Sequence, residues 1–210
     1  MATPNSPSSS TTQYSAISAN VVVESQTLKQ WSVSTYHRMS ELGILASDER
    51  TELIAGHITV MAAKGTPHVT ALRLLATQFD AYLSNLPFFA STQDPIHIDE
   101  FSEPEPDLAI VRGSVLDYAD HHPTPEEIVL LVEVADSTLK QDTEVKDKLY
   151  AGAGIAEYWV QDLKRDRLHI FRQPMPTGYQ SHSILSKDAT ISPLAFADLV
   201  LSVGAIFPPS

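Results

Sequence analysis

Two short and nearly continuous apolar runs constrain the fold of this chain more than any other feature of its sequence. Asp107–Val111 and Ile128–Val134 consist almost entirely of aliphatic residues, a pattern that is typical of strands covered on both faces. A sheet that is covered on both faces needs helices on each side. The two runs therefore predict a mixed α/β domain with a central sheet.

Apolar periodicity elsewhere in the chain predicts the helices and the remaining strands of such a domain. Helices are predicted at Thr35–Leu45 and at Asp142–Ala153. Between them a long helix is predicted, with Thr66 as its cap and Pro67 as its first residue. One face of this long helix carries Val69, Leu72, Leu75, Phe79 and Leu83. The predicted strands are a hairpin in Glu52–Ala62 around Gly56, then Phe88–Gln93, Pro95–Ile98, Glu157–Gln161, Leu168–Arg172 and Tyr179–Leu185.

Composition limits the chemistry that is open to the chain. Its 210 residues include no cysteine, which excludes disulfides, thiolate catalysis and cysteine-bound zinc. Any metal would therefore need oxygen or imidazole ligands. The net charge of −12 argues against tight, indiscriminate binding of nucleic acid, because a polyanion is repelled unless basic residues are concentrated locally.

The N-terminal region differs in composition from the rest of the chain. Residues 1–12 are almost wholly Ser, Thr, Pro, Asn and Ala, so we expect residues 1–27 to form a flexible tail and residues 28–210 to form a single domain. No basic residue precedes Lys29, and no apolar run has the roughly 20 residues that span a bilayer. A cytoplasmic protein without a membrane segment is the expectation.

Carboxylates in the two apolar strands are the feature that points to chemistry. Glu133 lies within Ile128–Val134, and Asp107 opens the other run. Burial of an unpaired carboxylate costs several kcal/mol in practice, so a cation, a basic side chain or a raised pKa must compensate. If the strands are neighbours, Asp107 and Glu133 converge and suit Mg²⁺ or Mn²⁺, which prefer oxygen ligands.

A lysine lies close enough in the sequence to join these acids. Lys146 follows Glu133 at the start of the next predicted helix, and a helix packed on the strand would bring its ammonium over the strand end. Two acids, a lysine and a metal ion are the groups that phosphodiester hydrolysis needs. The commoner alternative is a structural ion pair between Glu133 and Lys140, Lys146 or Lys148.

Several short motifs follow one another along the chain. They are Trp31 with Thr35-Tyr36, Glu52-Leu53-Ile54-Ala55-Gly56, Met61 with His68, Gln93-Asp94-Pro95-Ile96, Glu105-Pro106-Asp107, Val132-Glu133-Val134-Ala135-Asp136-Ser137, Asp142-Thr143-Glu144-Val145-Lys146, Leu149-Tyr150-Ala151 and Gly154-Ile155-Ala156-Glu157-Tyr158-Trp159. In this order the motifs resemble the Uma2 family of restriction-endonuclease-like proteins in the PD-(D/E)XK nuclease superfamily. The resemblance covers residues 30–205.

The resemblance implies a restriction-endonuclease-like core, a central mixed sheet flanked by helices, with a metal site at one sheet edge. Asp107 resembles the aspartate of the family's Pro-Asp motif, and Glu133 resembles its second acid. The usual lysine two residues later is replaced by Ala135. The resemblance implies that Lys146, on the following helix, supplies the basic group, with Lys148 as the second choice.

The same resemblance implies further site residues and partners. Glu52 resembles an additional acid from an early element, so the expected metal ligands are Asp107, Glu133 and Glu52, binding Mg²⁺ or Mn²⁺. His68 and Lys148 are expected to contact substrate. The implied activity is metal-dependent endonuclease cleavage of DNA, with weak or transient DNA binding through local cations, among them Lys64, Lys140, Lys146 and Lys148. A homodimer is an expectation from nuclease-like relatives.

Other interpretations of the same residues stay open at this point. The chain could be a non-catalytic module of the same fold that binds nucleic acid or protein, or a sugar hydrolase that uses a carboxylate pair without a metal. Asp142 is expected to cap its helix. Tyr158-Trp159 is expected in the core, and His121-His122 in a surface loop.

Overall fold

The computed structural model describes residues 28–209, and the predicted tail, residues 1–27, lies outside this range. The helices are α1 (Val33–Glu41), α2 (Thr66–Leu83), α3 (Leu139–Gln141) and α4 (Asp147–Gly152), with a π-helical turn at Asp142–Lys146 and 3₁₀ turns at Val115–Tyr118, Pro125–Glu127 and Val203–Ile206. The strands are β1 (Thr51–Ile54), β2 (His57–Val60), β3 (Phe88–Ser91), β4 (Leu108–Arg112), β5 (Ile128–Ala135), β6 (Glu157–Asp162), β7 (Arg167–Met175), β8 (Gly178–Ser186), β9 (Thr190–Ile191) and β10 (Leu201–Ser202). No helix among the described residues is both long enough and apolar enough to cross a membrane.

A six-stranded sheet in the order β3-β4-β5-β6-β7-β8 forms the centre of the fold. Its strands pair antiparallel except for β5 and β6, which are parallel. All residues of β5 are buried, as expected for a strand with neighbours on both sides and helices over both faces. The predicted mixed α/β architecture is confirmed.

Two hydrophobic clusters pack on opposite faces of this sheet. One cluster joins the buried face of α2 to Trp159 of β6, and the other joins Tyr150 of α4 to Tyr158 of the same strand. Successive residues of a strand point to opposite faces, so Tyr158 packs in one cluster and Trp159 in the other. Both rings are fully buried, which confirms that Tyr158-Trp159 belongs to the core.

The predicted hairpin is formed by β1 and β2. Ala55 and Gly56 both have positive φ, at 49° and 77°, which is the left-handed turn that two-residue hairpins require. A Cβ at Gly56 would lie 2.5 Å from Gln30 Cβ, so the turn also needs glycine for space. The backbone of Leu53 pairs with Glu103, which holds the hairpin against the segment that leads into β4.

Helix α2 and its N-cap each lie one residue earlier than predicted. Gly65 is the N-cap, and Thr66 and Pro67 are the first helical residues. Val69 is 39% exposed, so its predicted place on the apolar face is wrong; His68 points inward instead. The inward direction of His68 brings its ring beside β4.

Two further predictions about local structure are wrong. Pro95–Ile98 forms no regular strand, because a tight turn at Asp99–Ser102 reverses the chain and leaves only irregular backbone bonds. Asp142 does not cap a helix: α3 begins at Leu139, and Asp142 lies buried inside the continuous helical segment. Thr138 donates its hydroxyl to Asp142 Oδ2 at 2.6 Å.

Candidate functional site

Asp107 and Glu133 lie opposite each other on neighbouring strands. The antiparallel register pairs Leu108 with Val132, which places the residue before β4 across from Glu133. The Asp107 backbone N–H donates to Glu133 Oε2 at 3.3 Å, and the Val134 N–H donates to Asp107 Oδ2 at 2.8 Å. The ladder itself therefore fixes the two carboxylates side by side, as the sequence predicted for sheet neighbours.

Asp107 is buried but well supplied with hydrogen-bond partners. Its Oδ1 lies 2.9 Å from His68 Nε2 and accepts a bond from Gln93 Nε2 at 3.0 Å. Burial alone would raise the pKa of Asp107, but the bond and charge of His68, with the Val134 and Gln93 bonds, lower it below its usual value. Asp107 is therefore held as a carboxylate.

Glu133 is the more strongly desolvated acid. Lys146 Nζ donates to its Oε1 at 2.9 Å, and the Tyr150 hydroxyl donates to the same oxygen at 3.0 Å. Complete burial raises the pKa of Glu133 well above its usual value, against the opposing charge of Lys146. The Asp107 and Glu52 carboxylates add to this rise, so Glu133 is the group most in need of positive charge.

Glu52 comes to the same place from the β1–β2 hairpin. Its Oε2 lies 3.0 Å from Lys146 Nζ and accepts the Glu105 backbone N–H at 3.2 Å. The Glu52 side chain is buried and therefore points into the protein, although it belongs to a hairpin strand. Lys146 thus connects an acid of the central sheet with an acid of the hairpin.

The helical segment after β5 carries Lys146 back over the sheet. Its π-helical turn places Asp142 and Lys146, both buried, on the inner side; such turns occur frequently at functional sites. Desolvation lowers the pKa of Lys146, but Glu133, Glu52 and Asp142 outweigh it and raise the pKa above its usual value. Lys146 is therefore an ammonium at neutral pH, and it can donate hydrogen bonds but cannot act as a general base.

These side chains line one cavity of about 130 Å³. Five carboxylates and two lysines reach it, namely Glu52, Asp107, Glu133, Asp136 and Asp142 with Lys64 and Lys146. Burial raises the pKa of Asp142 to about 6, despite the charge of Lys146 and the Thr138 bond. The formal charge of the lining is negative, and a cavity of this kind attracts a cation more readily than a phosphate.

The oxygen donors of the cavity fit a hard divalent cation better than any other metal, because they are carboxylates without thiolates. Within residues 28–209, no three or more histidine, aspartate or glutamate side chains are already arranged as a metal site. Asp107 and Glu133 are adjoining acids on neighbouring strands. Glu52 instead directs its Oε2 to Lys146.

The structure separates the two lysines that the sequence left as alternatives. Lys146 is buried between acids, whereas Lys148 is exposed, outside the cavity lining and close to Gly178 at the start of β8. His68, the other predicted substrate contact, does line the cavity. Its hydrogen-bond partner is Asp107.

Sequence reasoning missed three cavity or support residues. Tyr150 follows Lys146 by one helical turn, and that spacing alone places the two side chains on one face. Asp142 precedes Lys146 by the same interval. Gln93 has a positive φ of 61° and donates its backbone N–H to the Asp107 carbonyl; only its presence in a shared motif hinted at a role.

The same mixed α/β fold occurs in a solved structure. The structure is similar to the crystal structure of a "putative nuclease belonging to DUF820" from Anabaena variabilis ATCC 29413, with a TM-score of 0.63 and 16% sequence identity. The match covers 80% of this chain and 96% of that chain.

The family model named Uma2 and described as "Putative restriction endonuclease" matches residues 33–204. The chain belongs to the Uma2 family, as its motifs indicated. Comparison with curated proteins found no match.

Proposed function

We propose that this protein is a metal-dependent endonuclease that hydrolyses phosphodiester bonds in DNA. The observation that carries the proposal is the juxtaposition of Asp107 and Glu133, through the 3.3 Å bond between them, in a negatively charged cavity that also contains the Lys146 ammonium. Membership of a family described as restriction endonucleases supports the same reaction class.

Mg²⁺ or Mn²⁺ is the proposed cofactor, with Asp107 and Glu133 as its principal ligands and Glu52 as the third acid. When bound, the ion would offset the negative charge of the cavity, polarise a phosphoryl oxygen and lower the pKa of water. The backbone N–H groups of Asp107 and Val134, which donate to the carboxylates of Glu133 and Asp107, fix both acids before any ion arrives. Binding of the ion then costs little conformational entropy, because the two side chains are already ordered.

Lys146 is proposed to orient the attacking water and to stabilise developing charge, as a fixed hydrogen-bond donor. Hydrolysis adds the water oxygen to phosphorus as the water gives up a proton to solvent, and it breaks the bond to one ester oxygen, which takes up a proton from solvent as it leaves. Because Lys146 stays protonated, it positions the water and does not deprotonate it. His68 is proposed to hold Asp107 ionised and oriented from the start of α2.

Lysines on the protein surface are proposed to contact the DNA on either side of the bond that is cleaved. Lys148 lies outside the cavity, on the helix that carries Lys146, so any DNA contact by Lys148 would lie beyond the scissile bond. An acidic protein of this kind would bind DNA weakly or transiently. Homodimerisation and a cytoplasmic location stay predictions.

Cleavage of plasmid and short duplex DNA, with and without Mg²⁺ or Mn²⁺, tests the proposal. We expect metal-dependent cleavage that the isosteric variants Asp107→Asn and Glu133→Gln each reduce by at least 100-fold. Asp80→Asn, an exposed acid on the outer side of α2, is the matched control and should cleave normally. Cleavage that survives both cavity substitutions would disprove the site.

One observation favours the alternative of a non-catalytic module. Ala135 stands where the usual lysine is expected, and the lysine that replaces it is already bonded to two carboxylates. A folded protein that binds DNA or a protein partner without metal dependence and without turnover would establish this alternative.

A further inference from the structure

The cavity contains a second lysine whose charge is not used inside the protein. Lys146 lies within 3.0 Å of both Glu52 and Glu133 and is only 4% exposed. The Lys146 ammonium therefore forms ion pairs with both carboxylates. Lys64 lines the same cavity but is half-buried, and it takes part in none of the ion pairs formed among residues 28–209.

The position of Lys64 places it at the entrance of the site. It directly precedes Gly65, the N-cap of α2, and it lines both the carboxylate cavity and the adjoining groove with Arg50. Partial burial and the Arg50 guanidinium lower its pKa, while the charges of Asp107 and Glu133 oppose that effect. The acids thus act on Lys64 electrostatically without forming an ion pair with it.

The start of α2 does not by itself explain how a phosphate would be held. Asp136 Oδ2 lies 3.7 Å from the position that a Cβ would take at Gly65, so a carboxylate already faces the N-terminal end of this helix. A phosphodiester entering the cavity would be repelled by that acid and by the others in the lining. A mobile ammonium on a four-carbon stem is the group that can meet the incoming charge.

We infer that Lys64, rather than Lys146, contacts the phosphate backbone of the substrate beside Asp107 and Glu133. This inference rests on the proposed function, since it assigns a substrate contact to the same cavity. Lys64 would donate to a non-bridging phosphate oxygen, while Lys146 remains bonded to Glu52 and Glu133. The two lysines then have different roles: Lys64 binds the substrate phosphate, whereas Lys146 balances the buried acids with two of its N–H groups and keeps the third for the attacking water.

Two assays with matched variants test this assignment. In the cleavage assay with Mg²⁺, Lys64→Ala should lower kcat/KM on the order of 10- to 100-fold, as expected for loss of a charged hydrogen bond. Lys64→Arg should recover most of that loss. Lys164→Ala, an exposed lysine in the turn between β6 and β7, should change kcat/KM by less than about twofold, and thermal melts should show that all three variants fold.

The second assay measures binding without turnover. A short DNA duplex is titrated with Asp107→Asn and with Asp107→Asn/Lys64→Ala in Mg²⁺ at several salt concentrations. Loss of one phosphate contact should weaken binding and reduce the slope of log K against log salt concentration by about 0.9. If Asp107→Asn does not fold, Glu133→Gln serves as the inactive background.

The outcomes separate this inference from the proposed function. Cleavage that depends on Asp107 but not on Lys64 would overturn the inference and leave the function standing. DNA binding that depends on Lys64, in a protein that shows no metal-dependent cleavage, would support the contact and refute the function. If Lys64→Ala matches Lys164→Ala in both assays, or if no DNA binds, the inference is wrong.

Discussion

Lys146 Nζ lies 2.9 Å from Glu133 Oε1, although the two residues are 13 positions apart in the chain. The contact forms because β5 leads directly into a helical segment that turns back over the end of the strand. Ala135, on the strand itself, is buried in the aromatic cluster with Tyr150 and Tyr158. A lysine from the helix therefore supplies the cation that the strand lacks.

Removal of this ammonium should destabilise the fold. Lys146→Met leaves Glu133 and Glu52 buried without their shared cation, and breaking a buried pair typically costs about 3–5 kcal/mol. We expect the loss of unfolding free energy to be larger at pH 8 than at pH 5, because burial raises the pKa of Glu133 and its protonation relieves the unpaired charge at the lower pH. Urea denaturation at the two pH values measures it.

The matched control for that substitution is Lys140→Met. Lys140 is exposed and lies 3.9 Å from Glu144 across one helical turn, so its loss should cost no more than roughly 0.5 kcal/mol. Equal destabilisation by the two substitutions would contradict the role assigned to Lys146.

Asp142→Asn should stabilise the protein near neutral pH. Burial raises the pKa of Asp142 to about 6 from its ordinary 3.8, so between those two pH values the folded protein keeps a proton that the unfolded chain has lost. Stability contributed by this group therefore falls as pH rises from about 4 to 6, by up to about 3 kcal/mol. The variant should gain about 1–3 kcal/mol at pH 7 and little at pH 4, measured by urea denaturation.

Asp80→Asn provides the comparison for this pH effect. Its carboxylate is exposed on α2, so the unfolding free energy should follow that of the unaltered protein at both pH values. A neutral or destabilising Asp142→Asn at pH 7 would mean that the carboxylate is needed in its charged form.

The central sheet and the two strand carboxylates could be predicted from the sequence, because both are visible as patterns among neighbouring residues. A strand covered on both faces must be apolar, and Glu133 is an exception within such a strand. The sequence position of Lys146 suggested that it could reach Glu133, but Lys140 and Lys148 stayed open as ion-pair partners until the resemblance favoured Lys146, because no periodicity reveals how a helix folds back onto a strand. Its contacts with Glu52 and Glu133 arise from tertiary packing.

Two residues show why the rest of the site was hidden. Asp142 looked like a cap because an acid at the start of a helical pattern is usually one, but the helix begins earlier and a π-helical turn directs Asp142 inward. The predicted substrate contact of His68 stays a prediction. Its bond to Asp107 arises because the first turn of α2 lies beside the residue that precedes β4, a relation that helical spacing cannot reveal.

Tyr150→Phe tests the contribution of the Tyr150 hydroxyl, which is the second hydrogen-bond donor to Glu133 Oε1. The substitution removes a buried hydroxyl that donates at 3.0 Å but preserves the aromatic packing with Tyr158. Since Lys146 still bonds the same oxygen, we expect a loss of about 1 kcal/mol in unfolding free energy. A larger pH dependence of stability should accompany it, because Glu133 loses a bond that favours its charged form.

Tyr179→Phe is the matched control, since its hydroxyl donates to the Ile155 carbonyl away from the acids. It should show a similar loss of stability without the added pH dependence. Identical pH profiles for the two variants would argue against a role for Tyr150 in holding the charge of Glu133.

His68→Ala should shift the acidic limb of the pH–rate profile to higher pH. The bond and charge of His68 keep the pKa of Asp107 low against the opposing effect of burial, so Asp107 in the variant would be protonated over a wider pH range. Loss of a residue that orients a metal-binding acid typically costs 10- to 100-fold in activity or metal affinity. The kcat/KM for DNA cleavage from pH 5 to pH 9, with Mn²⁺ titration by calorimetry at each end, measures both effects. His68→Gln retains an amide donor and should recover part of the loss, whereas an unshifted acidic limb in His68→Ala would show that Asp107 does not depend on this histidine.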